Sequence, residues 1–192
     1  MCTLYSQVKT QAEIRALINA IYDTAGNLGP QPAIFPDTPA PVVRETDKGR
    51  ELTKMRWGVP GPAIHGGRLL FNVRNVASGF WKPYLKVKRR CLVPATSFCE
   101  YADNPDPKTK KKIPTWFAIS KERPLFFFAG IYREFEGARG HESRSSNRQA
   151  FDLFVSHDRT EQDREASSFE SDAGHSDYNE GMRNVAESTS RR

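Results

Sequence analysis

The sequence predicts a domain of the α+β class, in which one helix is followed by many short strands. Apolar residues recur at helical spacing only between residues 10 and 24. Proline and glycine then interrupt the chain every few residues, and short apolar runs lie between the interruptions. With 192 residues, the chain is long enough for one domain whose core lies within the first ~150 positions.

The predicted helix covers residues 10–24. Thr10 and Glu13 have the spacing of a capping box, in which each side chain satisfies a backbone N–H of the other residue. Gly26 is placed to end the helix. The apolar residues that repeat at helical spacing are Ile14, Leu17, Ile18, Ile21 and Tyr22.

The middle of the chain predicts strands separated by turns. A proline-punctuated extended segment runs from residue 30 into residues 42–44, and Phe126, Phe127 and Phe128 predict a strand buried on both faces. Residues 104–112 predict a polar, lysine-rich loop. The other predicted strands are 55–60, 69–73, 91–94 and 115–119.

The composition changes after about Leu153. The remaining residues are rich in Ser, Asp, Glu, Arg and Asn, and their few apolar side chains follow neither a helical nor a strand period. Such a segment buries too little apolar surface to offset its ordering entropy. The sequence therefore predicts a domain over residues 1–153 and a disordered tail over residues 154–192.

Charge and cysteine usage limit the compartment and the partners. The net charge of +6 suits a polyanionic partner. Three irregularly spaced cysteines predict no disulfide framework, and there is no CxxC pair or histidine cluster for a metal. No secretory signal or membrane span is evident. We expect a soluble, cytoplasmic monomer without metal or cofactor.

Cys2, directly after the initiator methionine, is the first candidate catalytic residue. Because residue 2 is small, removal of Met1 is expected, and it would leave an α-amine and a thiol on one residue. The amine can form an imine with an aldehyde, and the thiol can then close a thiazolidine ring. Ordinary pKa values of about 7.7 and about 8.5 would leave both groups partly nucleophilic at neutral pH.

Two further segments carry polar groups suited to a site. Strand alternation places Asn72 and Arg74 on one face, where an amide and a guanidinium would bind a carbonyl and a phosphate side by side. A polar edge-strand face is the alternative. Glu100 lies between Phe98 and Tyr101, and an acid among aromatic rings has a pKa raised toward neutrality. A surface glutamate is the alternative.

Residues 79–90 interleave aromatic and basic side chains. Trp81, Lys82, Arg89 and Arg90 form a combination that suits single-stranded nucleic acid, because bases stack on rings and phosphates meet cations. The alternative is an amphipathic connector whose rings face the core.

Six motifs together resemble the SOS response-associated peptidase (SRAP) family in order and spacing, from residue 1 to about 153. The resemblance implies a mostly antiparallel, barrel-like sheet with peripheral helices, and a covalent crosslink to abasic sites in single-stranded DNA. It also implies self-cleaving peptidase and lyase activities. The motifs are Met1-Cys2, Met55-Arg56-Trp57-Gly58-Val59-Pro60, Asn72-Val73-Arg74, Arg90-Cys91-Leu92-Val93-Pro94, Phe98-Cys99-Glu100-Tyr101 and Phe127-Phe128-Ala129-Gly130-Ile131.

The resemblance implies a role for each candidate residue. Cys2 would be the nucleophile, Asn72 would position the sugar or the Cys2 amine, and Glu100 would act as general acid and base. The residues implied to line the DNA groove are Trp57, Arg74, Trp81, Lys82, Arg89 and Arg90.

The chain departs from the family pattern in three places. Thr3-Leu4 follows Cys2 where many members have Gly-Arg, and Cys99 adds a thiol beside Glu100. The family's C-terminal histidine motif is missing. Read one base later, codons compatible with residues 167–177 encode Leu-His-Ser-Lys-Ala-Met-Pro-Val-Ile-Leu, which matches that motif. We infer a one-base frameshift near residues 153–155, so His157 and His175 have no predicted catalytic role.

Two other functions remain open from the sequence. The chain would be a non-covalent single-strand-binding module if it uses only the basic and aromatic groove. It would be a peptidase on other proteins if the family name describes its activity. The loss of the histidine motif predicts that covalent capture is impaired.

Overall fold

A computed structural model describes the backbone of residues 2–61, 68–137 and 146–154. It describes the side chains of residues 2–61 and 68–134. Within these residues the fold is mostly β, with one short α-helix, α1 (Gln11–Ile18). None of the helices described is long and apolar enough to span a membrane. Apart from Phe154, which ends the last described strand, the predicted tail and the histidines at 157 and 175 lie outside the described residues. The domain boundary stays a prediction.

The strands are numbered in chain order. Short 3-10 turns at Lys82–Tyr84 and Val87–Arg89 precede β9. The strands are β1 (Leu4–Gln7), β2 (Tyr22–Asp23), β3 (Gln31–Ile34), β4 (Pro39–Thr46), β5 (Gly49–Trp57), β6 (Val59–Pro60), β7 (Leu69–Leu70), β8 (Asn72–Val73), β9 (Arg90–Ala95), β10 (Ser97–Pro105), β11 (Lys112–Phe117), β12 (Phe126–Gly137) and β13 (Ser146–Phe154).

The described strands form three sheets. One has the order β11-β10-β1-β3, a second has the order β2-β5-β4-β9-β12-β13-β8, and β6 pairs with β7. Most pairs are antiparallel, as predicted; the parallel pairs are β2 with β5, β5 with β13, and β8 with β13. The strands do not form the single barrel-like sheet that the sequence predicts, because they divide among three sheets.

Thr96 marks the point where the chain changes sheet. β9 ends at Ala95 in the larger sheet, and β10 begins at Ser97 in the four-stranded sheet. The backbone N–H and the hydroxyl of Thr96 both donate to the carbonyl oxygen of Ser6, at 2.7 and 3.1 Å. The Thr96 N–H, at the point where the chain changes sheet, is therefore satisfied by a carbonyl of β1.

The capping box of α1 is confirmed, but the helix is shorter than predicted. The Thr10 hydroxyl accepts a hydrogen bond from the Glu13 N–H, and the Glu13 carboxylate accepts from the Thr10 N–H at 2.8 Å. Asn19 adopts a left-handed conformation with φ 49° and ends the helix. The Ile21 N–H then donates to the Arg50 carbonyl at 2.9 Å, so pairing with β5 replaces the predicted last turns.

Two of the predicted strands are divided in the fold, and the predicted strand 115–119 ends at Phe117. The segment 69–73 is divided at Phe71 between β7 and β8, which belong to different sheets. The segment 55–60 is split between β5 and β6 by Gly58, whose φ of +100° only glycine adopts readily. A Cβ at this position would lie 3.0 Å from the Leu69 Cγ. Phe126 and Phe128 pack against one core cluster and Phe127 against another, so both faces of β12 are covered, as predicted.

The main core cluster joins both large sheets. Trp57 and Tyr5 are fully buried, with ring centroids 5.1 Å apart in an edge-to-face arrangement. The buried members of this cluster are Cys2, Tyr5, Ile34, Ala40, Val42, Met55, Trp57, Cys91, Val93, Ala95 and Tyr132.

A partly buried ion pair connects neighbouring strands β4 and β5. The Arg44 Nε lies 2.7 Å from a Glu51 carboxylate oxygen, and the Thr24 hydroxyl donates to the other oxygen at 2.6 Å. Burial raises the pKa of Glu51, but these hydrogen bonds outweigh it, and the net pKa lies below the ordinary value. A lowered carboxyl pKa stabilises the fold above the unfolded-state pKa and loses that effect as the pH falls.

We expect Glu51→Gln to lower the free energy of unfolding at pH 7 by about 1–3 kcal/mol, because the partly buried Arg44 guanidinium loses its charged partner. The difference from the parent should shrink below pH ~4, where the parent carboxyl is protonated in the unfolded chain. Urea unfolding at pH 7 and pH 3 measures both. Glu45→Gln is the matched control, since Glu45 is 69% exposed and 3.6 Å from Arg50; an equal loss in both variants would contradict the prediction.

Candidate active site

β1 fixes the position of Cys2. This strand pairs with β10 on one side, where Leu4 lies opposite Cys99, and with β3 on the other, where Tyr5 lies opposite Ile34. Because β1 is paired on both edges, the residues just before it have little freedom. Cys2 is only 3% exposed and belongs to the main core cluster.

Asn72 contacts the backbone of Cys2 directly. Its Nδ2 donates to the Cys2 carbonyl oxygen at 2.8 Å, in a buried hydrogen bond between residues 70 positions apart. Its Oδ1 is also buried and accepts no hydrogen bond from the described residues. An unsatisfied buried acceptor is costly, so this amide is suited to a further donor at the site.

Trp57 supports Asn72 from the core. Its indole Nε1 donates to the carbonyl oxygen of Phe71 at 2.8 Å, and its ring packs edge-on against the Phe71 ring. The residue before Asn72 is thereby held against β5. Trp57 positions the segment that binds Cys2.

The Cys2 thiol is protonated at neutral pH. It donates weakly to the Leu4 carbonyl at 3.5 Å. Burial raises the pKa of the Cys2 thiol to about 12, with smaller upward contributions from Glu100 and Cys99. In the chain that carries Met1, burial therefore holds the thiol pKa above the ordinary value, which the sequence alone did not reveal.

Glu100 lies close enough for its charge to act on the Cys2 thiol. It is half-buried on β10, opposite Thr115 of β11. The neighbouring Cys99 is buried and 5% exposed, and its thiol faces the Glu100 carbonyl at 4.0 Å. The structure thus brings Cys2, Asn72 and Glu100 together, with the spare thiol of Cys99 beside them.

The predicted groove residues divide into buried rings and outward cations. Trp57 is fully buried and Trp81 is 6% exposed, so neither ring presents a face to a base, and the expectation that they line a groove is not met. The guanidinium of Arg133 lies 5.4 and 5.2 Å from the ring centroids of Phe80 and Tyr84. The rings of residues 79–90 therefore pack inward, which agrees with the alternative prediction of an amphipathic connector.

The cations of this region remain at the surface. Lys82, Arg90 and Arg74 are exposed. Arg89 is half-buried, with its guanidinium 5.9 Å from the Tyr132 ring centroid. Because β8 ends at Val73, Arg74 does not share the buried surroundings of Asn72, contrary to the predicted common face.

Tyr5 is a polar residue of the site that the sequence did not single out. Its hydroxyl is fully buried and has no hydrogen-bond partner among the described residues. Burial raises the pKa of Tyr5 well above its ordinary value, and Cys2 and Cys91 add to the increase. The one signal in the sequence is its place three residues after Cys2. Among the described residues, no group of acids, cysteines and histidines is arranged to hold a metal.

Cys2 is thus buried, hydrogen-bonded through its backbone carbonyl to the distant Asn72, and close enough to Glu100 for the carboxylate to act on its thiol. The chain belongs to the SOS response associated peptidase (SRAP) family, whose model matches residues 1–150. Membership implies a role in processing DNA abasic sites.

A solved structure also resembles this fold. A phage-related protein from Bordetella bronchiseptica matches with a TM-score of 0.58 at 23% identity, over 80% of this chain and 68% of that protein. At this identity the match supports the fold alone. No curated protein matches the chain.

We expect Glu100→Gln to lower the pKa of the Cys2 thiol, because a negative neighbour is removed, while burial keeps it above the ordinary ~8.5. Alkylation of Cys2 by iodoacetamide, followed across pH by peptide mass spectrometry, measures this pKa. Glu122→Gln, in an exposed turn, should leave the profile unchanged. A Cys2 pKa that stays the same or rises in Glu100→Gln would show that the carboxylate does not act on the thiol.

Proposed function

We propose that this protein captures abasic sites in single-stranded DNA through a thiazolidine between Cys2 and the ring-opened sugar aldehyde. The observation that carries the proposal is the buried hydrogen bond from Asn72 to the Cys2 carbonyl. The charge of Glu100 acts on the thiol of the same residue. These three residues come from three separate parts of the chain. Their convergence on residue 2 suits chemistry at the chain terminus.

Loss of Met1, by self-cleavage or by an aminopeptidase, would free the Cys2 amine. The Asn72 Oδ1, which accepts no hydrogen bond from the described residues, would then accept one from this amine. That bond would orient the nitrogen lone pair toward the aldehyde. Asn72 therefore acts as a positioning residue through both atoms of its amide.

The proposed reaction begins with attack of the amine on the aldehyde carbon. The carbinolamine loses water to give an imine, and the sulfur then adds to the imine carbon. The proton leaves the thiol and ends on the ring nitrogen, so one water is lost overall. Glu100 would carry these protons.

The raised thiol pKa supports this order of steps. A thiol with a pKa of about 12 has almost no thiolate at neutral pH, so the amine attacks first. Addition of sulfur follows once the imine nitrogen can receive the proton. A general base beside the thiol is then needed for ring closure, and Glu100 fits that need.

The cations around the site would bind the DNA backbone. Lys82, Arg90 and Arg74 are exposed and would meet phosphates, and Arg89 is half-buried against the Tyr132 ring. The two buried tryptophans would act indirectly, by supporting Asn72 and the basic segment.

A non-covalent single-strand-binding module is the second candidate. The observation that favours it is the 3% exposure of Cys2, since a buried thiol must become accessible before it can react, whereas the cations are already at the surface. Peptidase action on other proteins stays untested. In our proposal, self-cleavage after Met1 is the peptidase activity and reversal of the crosslink is the lyase activity.

We expect the chain that begins at Cys2 to form a gel-stable adduct with single-stranded DNA that contains an abasic site, and none with intact DNA. One extra residue before Cys2 should abolish the adduct, because a blocked amine cannot form the imine. Glu100→Gln should slow it by on the order of 10²-fold.

Two variants discriminate between the candidates. Cys2→Ala should lose the adduct but keep salt-sensitive DNA binding, whereas the control Cys91→Ala should keep both. An adduct formed by the extended chain would mean that another nucleophile, such as a lysine, is responsible. DNA binding without an adduct from the Cys2-initiated chain would support the non-covalent module.

We also propose that loss of the C-terminal histidine motif impairs this activity. We expect a chain carrying the alternative frame from about residue 155, with a histidine near position 168, to unfold at a higher temperature, because Pro-Val-Ile-Leu supplies apolar surface to bury. Crosslink formation or reversal should also be faster, because an imidazole can transfer protons near neutral pH. Melting curves and single-turnover gels measure the two effects; if both stay unchanged, the frameshift inference fails.

A further inference from the structure

The turn between β10 and β11 is held in one shape by Asp106. Its Oδ1 accepts hydrogen bonds from the N–H groups of Lys108 and Thr109, at 2.9 and 2.6 Å. Its backbone N–H donates to the Lys111 carbonyl, and its carbonyl accepts from the Lys110 N–H, both at 2.9 Å. The Asp106 carboxylate is therefore hydrogen-bonded to the backbone of the turn.

Four lysines project from this turn and the start of β11. Residues 107–114 are all exposed, and within the part of the chain that the structure describes none of these lysines forms an ion pair. Like charges this close repel one another, and a polyanion relieves that repulsion. The four are Lys108, Lys110, Lys111 and Lys112.

The same hairpin carries Glu100 at its base. β1 pairs with β10 only from Ser97 to Cys99, so from Glu100 outward the described partner of β10 is β11 alone. The five steps from Glu100 to Pro105 span roughly 17 Å of strand. The hairpin thus leads from the proposed reaction centre to the lysines.

We infer that the β10–β11 hairpin is a second contact surface for single-stranded DNA, on which the four lysines bind phosphates of the strand flanking the abasic site. A stacked strand advances about 3.4 Å per nucleotide, so roughly five nucleotides separate the reacting sugar from the lysines. The inference extends the proposed function and rests on it for the position of the abasic site.

The test uses a hairpin variant that combines Lys108→Gln, Lys110→Asn, Lys111→Gln and Lys112→Gln; asparagine suits the φ of 58° at position 110. A control variant with the same net charge changes Lys9, Lys48, Lys54 and Lys121 to Gln. Fluorescence anisotropy measures binding of an undamaged 20-nucleotide strand from 50 to 200 mM salt. We expect the hairpin variant to lower the slope of log K against log salt by about 0.7 per lost contact, or about 3 in all.

The control variant should keep the parent slope. An unchanged slope in the hairpin variant, or an equal decrease in both variants, would overturn the inference. A second experiment places the abasic site two or ten nucleotides from the end of the strand. The hairpin variant should crosslink the short flank at the parent rate and the long flank more slowly.

The two hypotheses can fail separately. If no strand is crosslinked by any variant, the proposed covalent function fails, and the anisotropy slopes still decide the hairpin inference. If crosslinking occurs but the hairpin variant matches the parent on both flanks and in salt slope, the covalent function stands and the hairpin is not a DNA contact.

Discussion

The pairing of β1 on both of its edges is the constraint on which the rest of the site depends. This four-residue strand lies between β10 and β3, and its Ser6 carbonyl receives the two hydrogen bonds at the change of sheet. Residue 2 is therefore fixed by the same contacts that join the sheets. A protein whose chain end frays, as most do, could not hold an N-terminal residue against an asparagine 70 positions away.

Burial of the Cys2 thiol opposes its ionisation and would also set the order of steps in the proposed reaction. Raising a thiol pKa from about 9 to about 12 corresponds to about 4 kcal/mol against the thiolate. An exposed thiolate would be open to oxidants and unrelated electrophiles. In the proposed reaction, the buried thiol would become a useful nucleophile only after the amine has bound the aldehyde, so low resting reactivity would give selectivity.

The sequence predicted the local features well and the non-local ones poorly. The Thr10–Glu13 box was evident because capping depends on residues three apart, whereas the helix end at Asn19 depended on competition from the Arg50 carbonyl in another strand. The burial of Trp81 could not be predicted, because interleaved rings and cations fit both a groove and a connector. The Asn72 contact with Cys2 was implied by family resemblance only, since no local pattern joins such distant positions.

The central place of β1 also has a consequence for protein synthesis. Its partner β10 ends near residue 105, so β1 cannot complete its pairing until more than half of the chain has left the ribosome. At about 5–20 residues per second, that leaves roughly 5–20 s during which the nascent amino terminus is not sequestered by the fold. Enzymes at the ribosome that remove initiator methionine have this interval in which to act before β1 is paired.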